Sequence, residues 1–236
     1  MYALSEKGER IRAMFGSIAP RYDLLNRLLS LGIDRRWRRF AVKQIGVKGP
    51  GRVLDVATGT GDVALEIASQ TPASVSIVGI DFTPEMIDLG KVKVEGSRHS
   101  GRITLQVAPC EEIPFEDGSF DAATISFGIR NVVDRIKGLT EMHRVLKEEG
   151  KIVILEFSTP TLPVFKDLYH FYFLKVLPKI GGAFSRFSAY QYLPDSVLEF
   201  PPREVFKGMM TQVGFKDVRH FDLTGGIATV YVGTKK

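Results

Sequence analysis

Arg52-Val-Leu-Asp-Val-Ala-Thr-Gly-Thr-Gly-Asp62 decides how this chain is read. Val53, Leu54 and Val56 predict a short buried strand, with Asp55 near its end. The loop that follows is built on Gly59 and Gly61, and glycine lets backbone approach a ligand closely. A second apolar run, Val75 to Ile80, ends in another acid, Asp81.

Working outward, strands are expected at 52–56, 75–80, 103–107, 121–126 and 151–157, with helices at 62–69, 84–94 and 135–147 between them. Thr83-Pro84-Glu85 carries the signature of an N-cap followed by proline in the first turn. Alternation of this kind predicts an α/β domain with a mostly parallel, Rossmann-like sheet and helices on both faces. Ligand is then expected at the carboxyl ends of the strands. A further helix at 203–213 and strands at 216–222 and 227–233 bring the sheet to seven. Upstream, Ile11, Met14, Phe15 and Ile18, then Leu24, Leu25, Leu28 and Leu29, give helical stripes.

The expected organisation is one domain over 1–236: an N-terminal helical cap (1–50), a cofactor-binding core (51–157), a helical substrate lid (158–200) and a final helix with two strands (201–236). The chain has 236 residues, enough for a single full core. Its one cysteine, Cys110, excludes an intrachain disulfide. The N-terminus lacks the apolar core of a secretory signal, and no run suits a membrane span. Net charge is +5, compatible with nucleic acid, anionic lipid or neither.

The Gly-x-Gly-x-x-Ala match at 59–64, with Asp81 beyond it, also fits a dinucleotide fingerprint. Asp55 argues against that reading, because a carboxylate there repels a pyrophosphate. Beside the ammonium of a methionine moiety it is favourable, while Asp81 can accept from two ribose hydroxyls. Both acids suit S-adenosylmethionine (SAM), with Gly59, Thr60 and Gly61 as the loop against it. The four histidines are scattered, and no metal site is expected.

More specific stretches lie elsewhere: Tyr22-Asp-Leu-Leu-Asn-Arg-Leu-Leu-Ser30 with Trp37, Ile113-Pro-Phe115, Ser119-Phe-Asp121, Ile125-Ser-Phe-Gly-Ile-Arg-Asn131, and Arg144-Val-Leu-Lys147 leading to Leu155-Glu-Phe-Ser158. On these, from about Met14 to Val232, the chain resembles the ubiquinone/menaquinone biosynthesis C-methyltransferase family, of the demethylmenaquinone methyltransferase type. The resemblance implies a class I SAM-dependent methyltransferase fold. It implies cofactor contacts at Thr60, Asp81, the Pro109-Cys110 pair and Ser126, and methyl transfer to a ring carbon of a prenylated quinol. Three departures stand out. Asp34 replaces a common histidine, Glu148-Glu149 a usual Pro-Gly turn, and Pro109 a frequent Asn or Asp. Proline has neither an N–H nor a side-chain acceptor, so adenine is left to backbone, the Cys110 N–H among it, and to apolar packing.

Arg130 is the first candidate to stabilise a developing phenolate, with Asn131 orienting the oxygen. Tyr22 and Asp23 are candidates for closing the site or taking a proton. Phe165–Leu177 is unusually aromatic and is expected to form the lid and a track for the prenyl tail. The Arg35-Arg36-Trp37-Arg38-Arg39 cluster is expected at anionic headgroups, with Trp37 at the interface. The expected setting is cytoplasmic, peripheral to the inner face of the membrane, with no nucleic-acid partner and a homo-oligomer or biosynthetic complex left open. The competing readings are a SAM methyltransferase for another acceptor (a small phenol, sterol or tRNA) or a non-catalytic SAM- or quinone-binding component.

Overall fold

The computed structural model describes residues 5–160 and 188–236. Three helices lead: α1 (Glu6–Ile18), α2 (Tyr22–Leu29) and α3 (Asp34–Ile45), with a 3-10 turn containing Pro20 between the first two. Then come β1 (Gly51–Val56), α4 (Asp62–Gln70), β2 (Val75–Asp81), α5 (Pro84–Glu95), β3 (Ile103–Val107), β4 (Phe120–Ser126), α6 (Arg135–Val145) and β5 (Leu146–Phe157). After the undescribed stretch follow α7 (Ser188–Leu198), α8 (Arg203–Gln212), β6 (Lys216–Leu223) and β7 (Ala228–Thr234). The aromatic block 165–177 lies outside the described residues.

The strands form one seven-stranded sheet in the order β3-β2-β1-β4-β5-β7-β6. β1 to β5 pair in parallel, and β7 runs antiparallel between β5 and β6. The expected mostly parallel α/β sheet is therefore present. Alternate residues of β1 serve opposite faces: Leu54 and Val56 pack under α6 and α8 with Leu139, Met142, Phe206 and Met210. Val53 packs on the other side with Trp37, Val42, Ile67 and Ile87. Burial on both faces explains the near-continuous apolar runs.

Two of the expected element bounds are off by more than one residue, the end of α6 and the start of β5. α6 ends at Val145 because Leu146 turns extended and pairs with Phe120, so β5 begins there. Thr83 stands at the N-cap of α5, but its side chain makes no capping bond. Trp37 also differs from its expected place at a membrane interface: only 6% exposed, it packs against Phe127 and Phe157 and donates from Nε1 to Thr224 Oγ1 at 2.8 Å.

The stretches at 113–115, 119–121 and 144–147 tie elements together away from the cleft. Arg144 donates to the carbonyls of Phe115 (2.7 Å) and Ile113 (2.9 Å), and Glu141 accepts from the Ile113 N–H at 2.9 Å, pinning the 113–117 loop to α6. Asp121 accepts from the Arg52 N–H at 2.7 Å and from Lys147 at 2.8 Å, which locks β4 to the start of β1.

Candidate active site

Strand order reverses between β1 and β4, and α/β sheets bind ligands at such a point. Here a cleft of about 730 Å³, its open mouth included, is lined by Tyr22, Gly59, Asp81, Cys110, Ser126 and Asn131 among others. Phe15, Phe82, Met86, Phe127 and Val132 give it apolar walls.

Asp81 ends β2 and is held on both oxygens: Oδ2 accepts from the Gly59 N–H and Oδ1 from the Thr83 N–H, both at 2.9 Å, which leaves a second lone pair on each. The carboxylate thus shapes the glycine loop from below. Burial raises its pKa, and the two N–H groups oppose that rise. Asp55, on β1, is 1% exposed. Thr58 Oγ1 donates to its Oδ2 at 2.5 Å. Oδ1 is buried without a hydrogen bond of good geometry, although the nearby Ala64 N–H favours the charged form. Burial first, and then the charge of Asp81, push Asp55 up to about 7. An unfilled acceptor on a buried carboxyl suits an incoming cationic donor.

The loop itself depends on positive φ at Gly59 (55°) and Gly61 (81°). Helix α5 approaches so closely that a Cβ on Gly90 would lie 3.2 Å from the Thr60 carbonyl carbon. The tips of β1 and β4 also press together: Ala57 (φ 51°) and Phe127 (φ 57°) are both left-handed, and a Cβ on Gly128 would lie 2.6 Å from the Ala57 Cβ.

Thr60 points away from solvent and donates to Asp23 Oδ1 at 2.7 Å. Lys93 on α5 donates to Asp23, to Thr60 Oγ1 at 2.9 Å and to Asp62 at 2.8 Å. Asp62 also pairs with Arg38, which pairs with Asp34. Despite burial, Arg38 and Lys93 hold the Asp62 carboxyl below its ordinary range. The expectation that Asp23 takes a proton meets a carboxylate held on both oxygens, so its geometry is that of a clamp between α2 and the glycine loop. Tyr22, next to it, lies over Gly59, with Cε1 3.8 Å from where a Cβ would stand. Burial raises the Tyr22 pKa, so its hydroxyl keeps its proton near neutral pH.

Arg130 and Asn131 follow β4 as expected. Arg130 Nη1 pairs with Glu156 Oε1 at 2.8 Å, and the guanidinium lies 5.4 Å from the Phe157 ring centre. Its Nε is buried without a partner. Asn131 Oδ1 accepts from the Tyr192 hydroxyl of α7 at 3.0 Å. Ser126 Oγ is buried without a partner at the cleft wall. Pro109 is buried. The Cys110 thiol packs on α6, where a Cβ on Gly138 would come within 2.7 Å of the sulfur. Burial raises the thiol pKa, so the side chain acts as an inert apolar wall.

Sequence reasoning passed over Thr58, Lys93 and Glu156. Thr58 lay inside the quoted loop, but nothing marked which oxygen it would serve. Lys93 and Glu156 gain their meaning only from contacts distant in sequence.

A family model described as the ubiE/COQ5 methyltransferase family matches residues 3–235. The chain is 94% identical, over the full length of both, to "Ubiquinone/menaquinone biosynthesis C-methyltransferase UbiE" of Citrifermentans bemidjiense. It is 48% identical to "Demethylmenaquinone methyltransferase" of Deinococcus radiodurans, covering 98% of this chain and 95% of that one. Among solved structures, a SAM-dependent methyltransferase from Thermotoga maritima superposes with TM-score 0.66 at 19% identity, covering 96% and 100% of the two chains. The [4+2]-cyclase SpnF gives TM-score 0.73 at 14% identity over 97% and 96%. A fold shared with a cyclase does not fix the chemistry. The full-length family match and the curated relatives do fix the lineage: with its class I methyltransferase fold, the chain belongs to the ubiE/COQ5 methyltransferase family.

Proposed function

We propose that the chain is a SAM-dependent C-methyltransferase acting on a ring carbon of a prenylated quinol, demethylmenaquinol foremost. The observation that carries this reading is the buried Asp55–Asp81 pair on neighbouring strands beside an apolar-walled cleft. The names of the relatives from Citrifermentans bemidjiense and Deinococcus radiodurans support the quinol as acceptor.

Asp55 Oδ1 offers the unfilled acceptor for the cofactor's ammonium, and Asp81 and the glycine loop cradle its ribose. Ser126 and the backbone at Pro109-Cys110 line the nucleobase end. When bound, SAM supplies an electrophilic methyl group carried on a sulfonium. The protein's task is then to hold the ring carbon in line with that methyl and to favour the electron-rich quinolate. The partnerless Nε–H of Arg130 supplies a charged donor for the developing phenolate. Asn131, braced by Tyr192, orients the same oxygen. Asp23 fixes Thr60 and places Tyr22 over the loop, closing the cleft.

The prenyl tail contributes about 0.8 kcal/mol per buried methylene, so a long tail dominates binding. A quinol of that kind resides in the bilayer, and the enzyme visits the anionic membrane surface to collect it. No helix among the described residues is long and apolar enough to cross a membrane. The deciding experiment is single-turnover transfer from labelled SAM to demethylmenaquinol and to RNA, side by side. Label in the quinol ring is expected. Label in RNA alone, or in neither, overturns the assignment.

A further inference from the structure

Outside the active cleft, the richest cluster of charged side chains surrounds the start of α3. Arg27 of α2, Gly32 of the connecting turn, and Arg35, Arg36, Arg38 and Arg39 of α3 wall a second cleft of about 990 Å³, its open mouth included, with Asp62 and Glu66 opposite. Arg38 is held by Asp34 and Asp62, and Arg39 reaches Glu66 at 3.4 Å. Both lining acids have other donors as well: Asp62 binds Lys93 at 2.8 Å, and Glu66 accepts from Gln70 at 2.6 Å. Arg27, Arg35 and Arg36 are exposed and have no carboxylate partner among the described residues. Unpaired guanidiniums around a concavity match the oxygens of a phosphate group.

A second observation comes from the turn between α2 and α3. Leu31 is 79% exposed and held at φ 51°, a conformation that disfavours any residue with a Cβ. The turn is braced rather than loose. Ser30 Oγ donates to Asp34 Oδ1 at 2.6 Å, and the Gly32 N–H donates to the Arg27 carbonyl at 2.9 Å. Leu24, 65% exposed, shares a helix face with Arg27 three residues on. In water, a braced turn that presents leucine gains nothing. Beside three free arginines, it is the combination that an interface between headgroups and acyl chains rewards.

We propose that this cleft seats the phosphate of an anionic phospholipid headgroup, while Leu31 and Leu24 enter the apolar layer beneath it. The inference rests on the reading of the enzyme as one that collects a prenylated quinol from the bilayer, and it deepens that reading. The surface is also wired to the active cleft. Asp62, one wall of the basic cleft, joins through Lys93 to Thr60 of the glycine loop and to Asp23 beside Tyr22. Docking thereby fixes the orientation of the helices that cover the active site.

The test is co-sedimentation of the full chain with phosphatidylcholine vesicles, with and without phosphatidylglycerol, at low and high salt. Binding only to the phosphatidylglycerol vesicles is expected. The double substitution Arg35→Gln/Arg36→Gln is expected to weaken it about 25-fold, fivefold per arginine. Leu31→Gly is expected to reduce the part of binding that survives high salt, leaving the share of Leu24, while raising the melting temperature by relieving the turn. Methyl transfer to a water-soluble, short-tailed quinol is expected to stay at the parent rate in both variants. That control separates the two ideas: loss of short-quinol transfer by the parent protein sinks the acceptor assignment and leaves docking to be judged by sedimentation. Equal binding to both vesicle types, unchanged binding by the double variant, or saturable binding of inorganic phosphate without vesicle binding would each overturn the lipid assignment.

Discussion

Arg130 and Glu156 meet at 2.8 Å with side chains 7% and 0% exposed, joining the loop after β4 to the end of β5. The Glu156 carboxylate also accepts the backbone N–H groups of Arg130 (3.1 Å) and Phe157 (2.8 Å). The pair therefore sets both the position of a candidate catalytic side chain and the two strand tips around it. Removing one partner strands a buried charge.

Glu156→Ala is accordingly expected to destabilise the fold by about 3–5 kcal/mol, read by denaturant unfolding. Arg130→Ala should show a similar loss and, where folded, turnover at least about 10²-fold lower with SAM affinity retained. Arg130→Lys separates the two roles. It keeps a charge for Glu156 but lacks the Nε–H, so stability should largely return while turnover does not. Parent turnover in the lysine variant would remove Arg130 from the chemistry.

Asp55 gives a pH signature. Its carboxyl takes up a proton near pH 7 in the folded chain, against an ordinary value of 3.8. Between those values the folded state binds more protons than the unfolded state, so this group's contribution makes stability fall as pH rises through the window. Asp55→Asn should cancel that slope and make the ligand-free protein more stable at pH 8, by up to about 4 kcal/mol. The same variant should bind SAM less tightly, and parent affinity should weaken as pH drops below 7. Thermal melts and calorimetric titrations from pH 5 to 8 check both. A parent affinity flat across that range would deny Asp55 its ligand.

Lys93 holds Asp23, Thr60 and Asp62 together. Lys93→Met should cost about 2 kcal/mol of stability, as charged hydrogen bonds of this kind contribute. It should also loosen binding of demethylated SAM about tenfold, because the glycine loop loses its brace. Melting temperature and titration calorimetry measure the two effects. An unaltered melt would show that the cluster does not brace the loop.

Glu149 lies within β5, in the bulge between Leu146 and Lys151 where relatives were expected to carry glycine, and it adopts φ 61°. Its N–H donates to the Lys235 carbonyl at 2.9 Å, which fixes the bulge. Glu149→Gly should raise stability by about 1 kcal/mol, since a left-handed backbone penalises any Cβ. An equal or lower denaturation midpoint would contradict this.

The sheet was legible because buried parallel strands write continuous apolar runs between glycine and proline breaks, and β1, β2 and β3 follow from Arg52–Val56, Val75–Ile80 and Ile103–Val107 alone. The start of β5 was not, because Leu146 joins the sheet through Phe120, a pairing that helical periodicity cannot register. Asp55 and Asp81 were visible as strand-end acids. What each carboxylate touches was not: the Gly59 N–H and the Thr58 hydroxyl are assigned by loop conformation rather than residue type. Which of the two roles offered for Asp23 its geometry suits was hidden for the same reason, since its partner Lys93 lies on α5, 70 positions away. Trp37 looked interfacial from its four arginine neighbours, yet helical geometry turns it inward while Arg35, Arg36 and Arg39 face out and Arg38 is held between Asp34 and Asp62.

The abutting left-handed tips at Ala57 and Phe127, with only hydrogen affordable on Gly128 between them, have a bearing on breeding hardier versions of this enzyme. Selection for heat tolerance alone would be drawn to relax those corners, since unstrained corners melt later. Relaxed corners would also shift the walls between which donor and acceptor must line up. Libraries screened for endurance should therefore leave these three positions untouched, or be screened for turnover in the same pass.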